Sequence, residues 1–193
     1  MNRLKPDRII LIGASTGGPT HIEKILMALG SRYRCCVIIG QHMGAAFIPS
    51  FVKRLKEQTK TSVSLLEKGM ALEMGKAYLC TGRVFLALHN HQLVCSHVEE
   101  VLDHYNPDIN ALFNAFVPYA GELDMMAMIL TGIGEDGVQG CRELAQNGAL
   151  CIAESEESAV VYGMPLRAKE IVGTIEVKSL AQIIDRVKEF AHV

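Results

Sequence analysis

Three polar residues, each at the end of an apolar run, have the types needed to hydrolyse an acyl bond. Ser15 sits in Gly13-Ala14-Ser15-Thr16-Gly17-Gly18, directly after Arg8-Ile9-Ile10-Leu11-Ile12 and just before a helix opened by Pro19. A hydroxyl at such a strand-to-helix corner is lifted clear of the sheet. There it meets the N–H groups of the first helical turn, which favour negative charge. A serine nucleophile needs that setting, because its tetrahedral intermediate carries an oxyanion. His42 stands just past Cys35-Cys36-Val37-Ile38-Ile39-Gly40. Asp136 lies in Thr131-Gly132-Ile133-Gly134-Glu135-Asp136-Gly137, into which the run Met125-Met126-Ala127-Met128-Ile129-Leu130 empties. In an open parallel sheet the carboxyl ends of the strands share one edge, and sites form in the crevice outside it. Ser15, His42 and Asp136 are therefore candidates for a Ser-His-Asp triad, a constellation recognised by role and geometry rather than by chain order. An imidazole titrates near ambient pH, which suits it to take the serine proton. An aspartate beside it would fix its tautomer and stabilise the imidazolium. The backbone N–H of Thr16 is the first candidate oxyanion donor. Gly17 and Gly18, lacking Cβ atoms, are expected to let a substrate backbone come close.

The elements that must position these residues follow from alternating apolar and amphipathic stretches, the mark of α/β architecture. Strands are expected near 8–13, 35–40, 62–66, 77–80, 125–131, 149–153 and 171–177. Helices are expected near 19–29, 46–58, 109–119, 135–147, 155–162 and 179–191. The last of these carries Ser179 with Gln182 three residues on, a capping box. The middle breaks the rhythm: Val84-Phe85-Leu86-Ala87-Leu88 and Gln92-Leu93-Val94-Cys95 flank His89-Asn90-His91 and read as an antiparallel hairpin. The expected fold is a three-layer, doubly wound α/β domain over residues 1–193, with a mainly parallel sheet, helices on both faces and a hairpin insert.

Composition sets the outer bounds. A chain of 193 residues fits one large domain, and 49% hydrophobic with 21% charged residues is ordinary for a globular protein. A net charge of −2 argues against a nucleic-acid binder, which would carry a basic field. Lys53, Arg54 and Lys56 read as a solvated helix face. None of the six cysteines forms a C-x-x-C pair and several fall within apolar strands, so they read as reduced thiols of a cytoplasmic protein. Met1-Asn2-Arg3-Leu4-Lys5-Pro6 has no apolar leader core, and no stretch approaches the length of a membrane span.

Each candidate also has a blander reading. A lone serine in such a turn is commonly a cap or a phosphate contact, and a lone His42 a loop histidine. Asp136 could cap the helix that follows it, and Glu135 is its rival as the triad carboxylate. Gly132-Ile133-Gly134-Glu135-Asp136-Gly137 is a literal G-x-G-x-x-G between a strand and a helix, which raises dinucleotide binding as the alternative. Its two acids would repel a pyrophosphate, however, and Glu154 only loosely meets the ribose-binding acid expected about twenty residues on. His89 and His91 lack partners at metal-site spacing, and Met125, Met126 and Met128 read as core. No cofactor is expected. A non-catalytic binding module is the remaining alternative, disfavoured by three triad residues present together.

Taken together, these segments resemble the catalytic domain of the CheB family, the chemoreceptor protein-glutamate methylesterases. Ile12 to Gly18 resembles the family's nucleophile segment, Gln41-His42-Met43 its histidine segment, Ile129 to Gly137 its aspartate segment, and Val160-Val161-Tyr162-Gly163-Met164-Pro165 a further stretch. The resemblance implies Ser15 as nucleophile, His42 as base and then acid, and Asp136 as the residue orienting His42. It implies as substrate the glutamate methyl esters of a chemoreceptor's cytoplasmic rod, with methanol released and glutamine deamidation as a related activity. Three departures stand out. The family's N-terminal receiver domain does not precede the first strand, so an excised domain or a stand-alone enzyme is expected. Ile133 and Gly44 replace the family's usual Met and Pro beside the site, which bears on pocket shape. Asn106-Pro107-Asp108 replaces an Arg-Pro-Ser stretch and with it an arginine available for receptor contact.

Overall fold

The computed structural model describes residues 6–101 and 106–192. Residues 1–5, read above for a leader, lie outside them. Long runs of buried Ile, Val, Leu and Met produce strands covered on both faces. Strand β1 (Arg8–Ala14) is followed by helix α1 (Gly18–Leu29), and β2 (Cys36–Gln41) by α2 (Ile48–Gln58). Then come β3 (Ser62–Leu65) and β4 (Lys76–Leu79), the hairpin β5 (Arg83–His89) and β6 (Gln92–Glu99), and α3 (Ile109–Asn114). The chain closes with β7 (Asp124–Ile129), α4 (Val138–Gln146), β8 (Leu150–Glu154), α5 (Met164–Ile171), β9 (Ile175–Lys178) and α6 (Leu180–His192).

Among the described residues, seven strands form one sheet in the order β3-β4-β2-β1-β7-β8-β9. Every strand pairing in it is parallel; β5 and β6 pair with each other antiparallel. The chain moves outward from β1 on one side, then returns to build β7, β8 and β9 on the other. The strand order therefore reverses at β1, where ligand crevices open in such sheets. Side chains alternate along β1 as the pleat requires. Ile10 and Ile12 join the core beneath α1, α2 and α6, whereas Ile9 and Leu11 join the core beneath α3, α4, α5 and the hairpin.

Three expectations need correction. Residues 155–162 form a loop, and the helix lies later, at α5. The reason is tertiary: Val161 donates its N–H to Thr131 Oγ1 (2.9 Å) and accepts from the Gly132 N–H (3.0 Å), so its backbone pairs with the loop after β7. Pro165 then sets the first turn of α5. The strand expected at 171–177 shrinks accordingly to β9. Helix 109–119 also divides, with α3 ending at Asn114 and a 3-10 turn spanning Val117–Tyr119 around Pro118. Elsewhere local chemistry behaves as read. Asn90 and His91 both take positive φ (50° and 60°), as a two-residue hairpin turn requires. Ser179 and Gln182 cap α6 reciprocally.

Candidate active site

Parallel register sets the site. Ala14 is paired with Gln41 across β1 and β2, so the next residues, Ser15 and His42, leave the sheet side by side. Neighbouring strands lie about 5 Å apart. The His42 N–H donates to the Ala14 carbonyl (2.9 Å), and the Ser15 N–H donates to the Thr131 carbonyl (3.0 Å) beyond β7. The nucleophile candidate is thus tied on one side to the histidine strand and on the other to the aspartate loop.

Asp136 does not cap the helix that follows it. Gly137 takes that position with φ 88°, which frees the aspartate to turn away. Asp136 Oδ2 accepts from His42 Nε2 (2.7 Å) and from the Ile109 N–H (2.8 Å), and its Oδ1 accepts from the Asn110 N–H (2.9 Å). Burial pushes this carboxyl up, but the bonds from His42, Ile109 and Asn110 outweigh burial and hold it below its ordinary value. It is therefore a carboxylate across the physiological range. With Nε2–H committed to Asp136, the lone pair of a neutral His42 resides on Nδ1.

The first turn of α3 reaches Asp136 because glycines near the ends of β1 and β2 and at the start of α4 make room for it. A Cβ at Gly13, Gly40 or Gly137 would come within 2.8, 3.1 or 2.6 Å of Ile109 side-chain atoms. Asp108 caps α3 through the Ala111 N–H (2.7 Å) and also accepts from Arg83 (2.9 Å). Asn106 accepts from the Gly82 N–H through its side chain and from the Met43 N–H through its carbonyl. The stretch that departs from the family's Arg-Pro-Ser is thus used to hold α3 and the histidine loop.

Gln41 adds a clamp that the sequence did not single out: its Nε2 donates to the carbonyls of both Ser15 and His42 (2.9 Å each). The expectation that Gly17 and Gly18 leave space for substrate is corrected. A Cβ on Gly17 would lie 2.7 Å from Val160, and one on Gly18 would strike Gln41 and Ala14 at 2.7 Å or less. The protein's own packing fills that space, and Gly17 also needs φ 85°. Thr16 is exposed above the corner. Ile133, Val160 and Phe47 are 64%, 63% and 68% exposed. Beside His42 runs a groove of about 400 Å³ lined by Pro19, Met43, Phe47, Ser50, Phe51 and Arg54.

Competing chemistries fare poorly. Glu154 is wholly buried, and its carboxylate accepts from protein donors rather than facing a ribose. Burial pushes the Cys35 thiol up to about 12 and moves Cys36, Cys80 and Cys95 the same way, which leaves them protonated and inert.

The chain is similar to known proteins over most of its length. The chain is 39% identical over 184 residues to a protein-glutamate methylesterase/protein-glutamine glutaminase of Lawsonia intracellularis, covering 93% of this chain and 51% of that one. It is 36% identical over 184 residues to the protein of the same description from Salmonella typhimurium, covering 93% and 52%. The chain thus spans about half the length of these relatives. The crystal structure of the Thermotoga maritima CheB methylesterase catalytic domain superposes with a TM-score of 0.84 at 28% identity, covering 94% of this chain and 97% of that one. The family model for the CheB methylesterase matches residues 10–187, a span that contains all three candidate triad residues. This chain belongs to the CheB methylesterase family.

Proposed function

We propose that this domain is a protein-glutamate methylesterase in which Ser15 is the nucleophile, His42 the general base and acid, and Asp136 the residue that orients His42. The observation that carries this reading is the 2.7 Å bond from His42 Nε2 to Asp136 Oδ2, made beside a serine at the reversal point of the sheet. Ser15 Oγ attacks the ester carbonyl carbon as its proton passes to His42 Nδ1. The tetrahedral oxyanion is held by backbone N–H groups at the corner, with Thr16 the first candidate and Ile133 beside the substrate. One such donor is worth about 3–4 kcal/mol in the transition state. The C–O bond to the methoxy group then breaks as His42 returns the proton, and methanol leaves. Water attacks the acyl-serine, gives a proton to His42, and collapse restores Ser15 and frees the glutamate side chain.

The substrate in this reading is the methylated cytoplasmic rod of a chemoreceptor, and the compartment is the cytoplasm. An open crevice rimmed by exposed Ile133, Val160 and Phe47 suits a protein surface better than a small ester. The same acyl chemistry with ammonia as leaving group would deamidate glutamine, in keeping with the relatives' names. No described helix is long and apolar enough to cross a membrane. The test is methanol release from methylated chemoreceptor by the domain and by its Ser15→Ala variant. Release by the first alone is expected; equal release by both would remove Ser15 from the reaction.

A further inference from the structure

Glu154, at the carboxyl end of β8, is fully buried. A carboxylate in that position is costly unless donors surround it. Three do. Its Oε2 accepts from the Thr131 N–H (2.9 Å) and faces His21 Nδ1 at 3.2 Å, and its Oε1 accepts from Ser158 Oγ (2.8 Å). These donors belong to three different segments: His21 to the first turns of α1, Thr131 to the loop after β7, and Ser158 to the loop before α5. Ser158 Oγ in turn accepts from the Leu180 N–H (2.9 Å), which adds the start of α6.

Thr131 is the link to the chemistry. Its carbonyl accepts from the Ser15 N–H (3.0 Å), and its Oγ1 donates to the Thr16 carbonyl (2.8 Å). The same Oγ1 accepts from the Val161 N–H. Thr131 therefore grips both residues of the nucleophile corner, and Glu154 grips Thr131. His21, on the helix that issues from that corner, closes the loop from the other side. The proposed reaction uses neither His21 nor Glu154, yet both are buried at the hub of these bonds.

We propose that Glu154 is a positioning residue: through Thr131, and with His21 as its second anchor, it fixes the Ser15–Thr16 corner in the geometry that the attack and the oxyanion require. This rests on the reading of Ser15 as the nucleophile. A displacement on the order of 1 Å at such a corner costs about 100-fold in rate, so the effect should fall on turnover rather than on substrate affinity.

The test compares Glu154→Ala and Glu154→Gln with the unaltered domain. A glutamine keeps an acceptor for the Thr131 N–H, and an alanine does not. Two readouts are taken on folded protein: backbone hydrogen exchange of the segment containing Ser15 and Thr16, and kcat and KM for methanol release from methylated receptor. Glu154→Ala is expected to speed exchange at Ser15 at least tenfold and to lower kcat by about 10- to 100-fold with KM within twofold. Glu154→Gln should restore both to within about threefold of the starting protein. Unchanged exchange at Ser15, or a loss seen in KM alone, overturns the proposal. If Glu154→Ala does not fold, the decision falls to Thr131→Val, which removes the hydroxyl bonds to Thr16 and Val161 and leaves the backbone bonds of Thr131 to Ser15 and Glu154. Faster exchange in the corner segment supports the linkage, and unchanged exchange overturns it. Absence of hydrolysis by the unaltered domain would overturn the methylesterase reading instead, while the exchange data still decide whether Glu154 holds the corner.

Discussion

Asp136 serves three partners at once, and that shared duty makes its replacement informative. In Asp136→Asn the amide oxygen can still accept from Asn110 at the Oδ1 place, but the amide nitrogen then takes the Oδ2 place, where it loses the Ile109 bond and faces His42 Nε2 as a donor. The imidazole proton is driven onto Nδ1, the nitrogen that acts as base in the proposed mechanism. By analogy with other triads, kcat should fall by about 10⁴-fold with little loss of fold. Measured kcat within tenfold of the unaltered domain would show that Asp136 does not set the tautomer. The three residue types were legible in the sequence because each follows an apolar run. Their supports were not. Gln41, Thr131 and Glu154 act through bonds between residues distant in sequence, and no local pattern marks them. Glu154 drew notice only for a ribose contact that its complete burial forbids.

At the scale of elements, the site depends on how closely α3 can approach the ends of β1 and β2. Gly13 and Gly40 admit Ile109, and Ile109 brings its N–H to Asp136. Gly13→Ala should push Ile109 outward, with a destabilisation of about 1–3 kcal/mol from overpacking. It should also cost activity through the displaced Asp136. Thermal denaturation together with the methanol assay checks this, and an unaltered midpoint with full activity would contradict it. Strands β1, β2 and β7 and helices α1 and α6 could be read from hydrophobic runs, a glycine-rich corner and a capping box. Residues 155–162 could not. Their acidic start at Glu156 and Glu157 suits the first turn of a helix, but pairing of Val161 with Thr131 and Gly132 overrides that propensity. A sequence window does not contain the partner strand end.

Across the whole molecule, the site joins elements from both halves of the sheet, so its charge state bears on global stability. The folded Asp136 carboxyl lies below its ordinary value, which means that the native state binds its proton less readily than the unfolded chain. Its contribution is fully present above the ordinary carboxylate value of about 3.9 and is lost as pH falls through the folded value. The melting-temperature gap between the unaltered domain and Asp136→Asn should therefore be constant near neutrality and narrow in acid. A gap that stays fixed down to pH 2–3 would mean that the carboxylate is not stabilised by its partners. The doubly wound order itself followed from alternating runs, but the reversal at β1, which puts Ser15 between the histidine and aspartate strands, emerges only from pairing.

The proposed chemistry requires an activated nucleophile at the Ser15 corner. The most direct measurement is the site of attachment of a fluorophosphonate, which reports attack by an activated serine without requiring any receptor. Peptide mass spectrometry should find the adduct on Ser15 in the unaltered domain and little or none in His42→Ala. An adduct on another serine, or equal labelling of Ser15 without His42, would contradict the account.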